Sequence, residues 1–334
     1  MSASKSDELR SYFPVDAVIR DGKPQIEWLT ITDTRFREPF FHQTVERARE
    51  ENPSLFSDLD VLLQVATTVP ALSPSGFIFH TSRCGSTVVA NACKALDSTR
   101  VIAEAPVIDK LISRLFTDAA TGSTKEAVYL SLIRAATESL ARDLDDGSRY
   151  FVKFACTSIL QVKALRRSWP NVPFLILFRD PIEVTVSNVR NRPEWMSADS
   201  NPAAAAAIIG VDVNHLPVMT DEEFCARALG RYYAAAENFA GDRRTILVNY
   251  ADLSVETLMK ILRSFEVVPS AHETTAIERS LLSHSKDPTR CFRPDSANKR
   301  AGASAEVLEA VGKWALPAFE SLIRHSTRSN SDRY

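Results

Sequence analysis

No block of charge of either sign stands out in this chain. Its net charge is −2 over 334 residues, without the basic excess of a general nucleic-acid binder. No nucleic-acid partner is expected, and any phosphate-binding cations must be local. Cysteine is sparse: Cys84, Cys93, Cys156, Cys225 and Cys291 are scattered, odd in number and never spaced C-x-x-C. That pattern argues against a disulfide framework and offers no zinc or redox motif. No apolar run reaches the roughly 18 residues that span a bilayer, and the polar N-terminal stretch lacks the apolar core of a secretory signal. No membrane partner is expected, and a reduced cytoplasmic setting is. There is no internal repeat, and the one low-complexity stretch is Ala203–Ala207. With 45% hydrophobic and 25% charged residues the composition is that of an ordinary globular protein, long enough for one large domain or two.

What is present begins with Phe77-Ile78-Phe79-His80-Thr81-Ser82-Arg83-Cys84-Gly85-Ser86-Thr87. An apolar strand runs into a tight polar turn, and Thr87 opens a helix with Val88, Val89, Ala92, Cys93 and Leu96 at helical spacing. Strand, turn and helix N-terminus in that order make an anion site, because free N–H groups and the helix dipole converge there. Arg83 adds a charge, and Ser86 and Thr87 add hydroxyls. The nucleotide-triphosphatase form G-x-x-x-x-G-K-[ST] is absent: Ser86 takes the lysine position, and the cation precedes Gly85 by two residues. Cys84, at a helix N-terminus beside Arg83, is either a reactive thiol or a small filler in a tight loop.

This segment resembles the 5′-phosphosulfate loop of sulfotransferases that use 3′-phosphoadenosine 5′-phosphosulfate (PAPS): a strand, Lys or Arg, one residue, then Gly-[ST]-[ST] into a helix. A second, distant segment strengthens the resemblance. Phe174-Leu175-Ile176-Leu177-Phe178-Arg179-Asp180-Pro181 reads as a buried central strand with Pro181 near the first helical position. In the family the Arg of R-D-P and a Ser eight residues later grip the cofactor's 3′-phosphate, and Arg179 and Ser187 have that spacing. A planar guanidinium suits bidentate phosphate binding. The resemblance covers about residues 75 to 325. It implies an acceptor-recognition segment at about 191–220, where Trp195 and Met196 either line a pocket or pack the loop down. It also implies a late basic loop, to which Lys299-Arg300-Ala301-Gly302 is similar with one extra residue.

Sulfuryl transfer needs a base for the acceptor proton, cations at the leaving oxygen, and tight positioning; no metal is expected. Lys153, within the otherwise apolar Tyr150-Phe151-Val152-Lys153-Phe154, is the candidate leaving-side cation, since an unpaired charge there would be costly. Cytosolic animal members place a catalytic histidine two residues after a similar lysine, where this chain has Ala155. Glu104, following the short strand Val101-Ile102-Ala103, is the candidate base, as the resemblance to bacterial and Golgi-type members implies. His80 and His284 are the alternatives.

Alternating strands (77–80, 100–103, 150–154, 174–178, 245–249) and helices (87–96, 106–116, 125–143, 158–168, 181–190, 221–240, 254–265, 304–326) predict an α/β fold. Its central parallel sheet is flanked by helices in a P-loop-type three-layer arrangement, with ligands at the strand carboxyl ends. Residues 1–70 read as an N-terminal extension packed on this 71–330 domain, without chemistry of its own. The expected function is a PAPS-dependent sulfotransferase acting on a small-molecule acceptor. Arg83, Cys84, Gly85, Ser86, Thr87, Arg179, Ser187, Lys299 and Arg300 would bind the cofactor, with Glu104 and Lys153 catalytic. The alternatives are an ATP/magnesium-dependent small-molecule kinase, with Asp180 helping to hold the metal, and an inactive nucleotide-binding module.

Overall fold

The computed structural model describes residues 5–68, 70, 72–118, 123–145, 147–197, 201–284, 287–291 and 296–331. Its N-terminal part is an antiparallel sheet of β1 (Phe13–Arg20), β2 (Lys23–Leu29) and β3 (Leu55–Asp58), in that order. Asp21 and Gly22 turn the first hairpin, both at positive φ (51° and 73°), as a two-residue hairpin loop requires. Five further strands make one parallel sheet: β4 (Gly76–His80), β5 (Thr99–Ala103), β6 (Arg149–Lys153), β7 (Phe174–Phe178) and β8 (Thr245–Asn249). Their order is β5–β6–β4–β7–β8. Each lies within one residue of its expected span.

Strand alternation explains why both faces of this sheet must be covered. Phe77, Phe79, Val152, Ile176 and Leu247 enter one hydrophobic cluster, while Ile78, Phe151, Leu175, Leu177 and Val248 enter another. The second is closed by Val89, Ala92 and Cys93 of the helix Ser86–Lys94, by Leu258 and Ile261, and by Ile277. The first is larger and also contains Phe13, Trp28 and Phe41 of the N-terminal part. Two buried arginines stitch the parts together through main-chain carbonyls. The Arg100 guanidinium donates to the oxygens of Thr34 (2.9 Å), Leu140 (2.9 Å) and Arg142 (2.7 Å). Arg142 donates to the oxygen of Arg10 and lies over the Phe13 ring at 4.2 Å.

Several helices depart from expectation. The span 304–326 is two helices, Ala305–Trp314 and Leu316–Ser331, because Pro317 can sit in a first turn but not in a helix interior. The segment 191–220 is not plain loop: Asn201 caps a helix at Pro202–Ile209, accepting from the Ala204 N–H at 3.1 Å. Ala271–Leu282 and Ser296–Ala301 are further helices. Among the described residues no helix is long and apolar enough to cross a membrane.

From β4 the chain crosses first to β5 and β6 on one side and then to β7 and β8 on the other. The crevice left where connections part ways, at the carboxyl ends, is where such sheets take ligands. His80, Lys153, Glu104, Arg179 and Tyr250 each end or directly follow a different strand of the five.

Candidate active site

The turn after β4 is built from unusual backbone. Ser82, Arg83 and Gly85 all have positive φ (72°, 47° and 80°), so successive N–H groups turn toward one side and form an anion-binding concavity. Gly85 is then the N-cap of Ser86–Lys94, adding the orphan N–H groups and positive dipole end of that helix. Glycine is needed there twice over: a Cβ at this φ would be strained, and it would meet the Tyr250 ring at 2.9 Å. Ser86 and Thr87 are buried at the helix start. The Arg83 side chain reaches sideways, donating from Nε to Asn188 Oδ1 (3.1 Å) and from Nη2 to the Asn191 carbonyl (3.0 Å). It thereby fastens the loop to the helix Pro181–Arg190. Cys84 is fully buried and donates to the Leu177 carbonyl at 3.3 Å. Burial pushes its thiol up to about 11, opposite to the lowered value of a reactive thiol.

On the β7 side, Arg179 is 4% exposed and spans three partners. Nε donates to Glu183 Oε2 (2.7 Å), Nη1 to the Arg83 carbonyl (3.2 Å) and Nη2 to Ser296 Oγ (3.1 Å). The guanidinium lies over the Tyr250 ring at 4.0 Å. Glu183 is shared: its Oε1 accepts from Arg300 Nε at 2.9 Å. Burial opposes charge on Glu183, yet the bonds from Arg179, Ser296 and Arg300 hold its carboxyl below the usual range. Asp180 is committed as well. Its Oδ1 accepts from the Ile182 and Glu183 N–H groups as an N-cap, and its Oδ2 from Arg300 at 3.0 Å.

Register places the remaining pair. Ala103 of β5 and Ile78 of β4 both lie opposite Lys153 of β6, so Glu104 emerges beside Lys153. Lys153 is 1% exposed, and its Nζ bonds directly to Glu104 Oε1. His80 Nε2 lies 3.6 Å from the same oxygen. Burial raises the Glu104 pKa, but the Lys153 charge and His80 overrule it and leave the carboxyl well below its ordinary value. Glu104 also has a left-handed backbone, φ 54°, a conformation that costs residues other than glycine of order 1–3 kcal/mol. Behind it, Asp109 Oδ1 accepts from the Ala155 N–H at 3.3 Å. Burial, helped by the Glu104 charge, pushes Asp109 up to about 8.

One cavity of about 510 Å³ joins these groups. Arg83, Cys84, Gly85, Ser86, Thr87, Glu104, Lys153, Arg179, Ser187 and Lys299 all line it, as do His80 and Trp195. Arg300 does not. It lines an adjoining cavity of about 450 Å³ with Leu253, Leu281, Phe319 and Ser296, and the two cavities share Val88, Arg179 and Tyr250. Trp195 both lines the larger cavity and packs on Phe224 and Tyr232, while Met196 is buried. The His284 side chain, Ser285–Lys286 and residues 292–295 lie outside the described ones.

Four functional positions escape sequence reasoning: Phe40, Glu183, Asn188 and Tyr250. Phe40 belongs to the N-terminal part, lines the cavity, and has Lys153 Nζ 5.1 Å from its ring centroid. Nothing in the sequence around it signals that reach. Tyr250 was the findable one, since it directly follows an apolar strand at the sheet's ligand edge.

No family model and no curated protein matches the chain. Its fold is similar to that of several solved sulfotransferases. The sulfotransferase domain from the curacin biosynthetic pathway shares 13% identity at a TM-score of 0.42, over 72% of this chain and 97% of that one. Sulfotransferase STF1 from Mycobacterium tuberculosis H37Rv shares 14% at 0.39, over 79% and 82%. Mouse sulfotransferase SULT7A1, solved with PAP, shares 12% at 0.38, over 82% and 92%.

Proposed function

We propose that this protein transfers a sulfuryl group from PAPS to a hydroxyl or amine of a small-molecule acceptor. The observation that carries the reading is the placement, in one cavity, of a lysine-less anion loop and a buried lysine–carboxylate pair. The residues present fit this co-substrate. The Arg83–Thr87 amides, with the Ser86 and Thr87 hydroxyls, suit its 5′ end, and Ser187, Arg179 and Lys299 its 3′-phosphate. Tyr250 with the apolar Leu253, Leu281 and Phe319 suits a purine. PAPS supplies the activated sulfuryl group. Glu104 takes the acceptor proton, and Lys153 offsets charge at the leaving oxygen. Lys153 has one charge for two claimants: as it turns to the leaving oxygen it releases Glu104, whose pKa then rises toward that of a competent base. A cytoplasmic setting suits the free, buried thiols of Cys84, Cys93, Cys156 and Cys225.

The kinase alternative would use Asp180 for magnesium, but both its oxygens are occupied in capping and pairing. Calorimetric titration with adenosine 3′,5′-bisphosphate, run beside ATP–Mg²⁺, tests the reading. Tight bisphosphate binding that is lost in Arg179→Ala, followed by PAPS turnover on an acceptor panel, supports it. Binding of ATP–Mg²⁺ alone would replace it with a kinase. Bisphosphate binding without turnover on any acceptor would leave a binding module.

A further inference from the structure

We infer that His80 is a positioning residue that holds the Glu104 carboxylate toward the acceptor while Lys153 turns to the leaving oxygen, and that it does so from the phosphate loop. Its role in turnover rests on the sulfotransferase reading; its contacts do not. His80 ends β4, next to β6, and is 6% exposed. A hydrogen bond at one nitrogen fixes its ring and leaves the other facing Glu104. Nδ1 accepts the Ser82 N–H at 3.2 Å, so that nitrogen carries no proton and a neutral ring holds its hydrogen on Nε2. Nε2 is the nitrogen that lies 3.6 Å from Glu104 Oε1.

Glu104 needs such a partner. Its main-chain N–H donates to the Lys153 carbonyl at 2.7 Å, and one oxygen of its side chain bonds Lys153 and faces His80 Nε2 at 3.6 Å. Lys153 is called away during transfer, whereas the His80 ring is anchored to the loop. Ser82 is itself part of the cradle: its backbone is left-handed, and its Oγ lies 3.4 Å from Asn188 Oδ1, the atom that accepts from Arg83 Nε. Filling the loop with an anion therefore acts on the Ser82 amide, through it on the imidazole, and so on the base. The arrangement ties readiness of the base to occupancy of the cofactor site.

The test begins with the unmodified protein, its histidines labelled with ¹⁵N and His80 assigned by the signal lost in His80→Gln. The expected result is a neutral ring protonated at Nε2, whose resonances move on adding adenosine 3′,5′-bisphosphate and again in Glu104→Gln. A ring protonated at Nδ1, or resonances indifferent to Glu104→Gln, would overturn the inference whatever the reaction proves to be. Turnover supplies the second arm. His80→Leu should lower kcat on the order of tenfold to a hundredfold with bisphosphate affinity nearly unchanged. It should also move the acid limb of kcat/KM to higher pH, because Glu104 loses a donor that favours its charged form. Lys153 beside Glu104, Asp109 behind it and Arg83 in the loop remain, so that displacement belongs to His80. His80→Gln keeps an acceptor and a donor and should recover part of the loss. Wild-type kcat with an unmoved limb in His80→Leu overturns the inference. The expected resonances without bisphosphate-linked turnover would instead sink the sulfotransferase reading and leave the His80–Glu104 coupling standing.

Discussion

Replacing Glu104 by leucine would leave the Lys153 ammonium, 1% exposed, without its carboxylate. Breaking a buried pair from one side is costly, and Glu104→Leu should lose about 3 kcal/mol of stability, read as a lower urea midpoint. Glu104→Gln still accepts from Nζ, so it should stay near wild-type stability while turnover falls about a hundredfold. Gly85→Ala should abolish bisphosphate binding in calorimetry, since the added methyl is strained at this φ and collides with Tyr250. Asp109 sets a pH dependence. Its folded pKa of about 8 lies above the unfolded value, so its contribution is full below about pH 4 and is lost as pH rises through 8. Asp109→Asn should lose less stability than wild type between those limits, as denaturation at a series of pH values would show. Lys153 and Glu104 were legible because a charge inside an apolar strand, or at its carboxyl end, is conspicuous. Phe40 was not, because its role depends on where a separate sheet places it.

Whole elements carry the second half of the site. The short helix Ser296–Ala301 is latched by Ser296 on Arg179 and by Arg300 on Glu183 and Asp180. The Arg300 side chain is 60% exposed, so its pairs add little to folding. Arg300→Ala should therefore leave the melting temperature nearly unchanged, yet speed bisphosphate release in stopped-flow measurements and weaken the salt dependence of binding. The parallel strands were readable because strands buried on both faces are continuous apolar runs. The N-terminal strands were hidden: β1 carries Pro14 and Asp16, and β2 carries Pro24, Gln25 and Glu27, so neither shows the run or the clean alternation that marks a strand. The alanine stretch at 203–207 reads as low complexity until Asn201 is recognised as the cap that starts a helix.

At the scale of the molecule, one hydrophobic cluster contains Trp28 of the N-terminal sheet and Trp169 beside the parallel sheet. Two parts sharing a core should melt together. Urea unfolding followed by Trp28 fluorescence in a Trp169→Phe, Trp195→Phe, Trp314→Phe variant, and by Trp169 in a Trp28→Phe, Trp195→Phe, Trp314→Phe variant, should give one common shape, each midpoint corrected for its own substitutions. Two separated transitions in either variant would show independent units.

The arginine stitching has a consequence for how acidity acts on this protein. Burial lowers the Arg142 guanidinium only to about 10, Arg100 is likewise an arginine facing carbonyls, and a carbonyl has no proton to lose. These arginine contacts are therefore deaf to pH throughout the interval in which Asp109 discharges its proton. Acidity reaches the seam instead through Lys94, whose ammonium is lowered by burial to about 8 and whose bond to the Glu38 carbonyl lies two residues from Phe40. The wall that Phe40 provides thus loses a charged tie over the same rise in pH that retunes the chemistry beneath it.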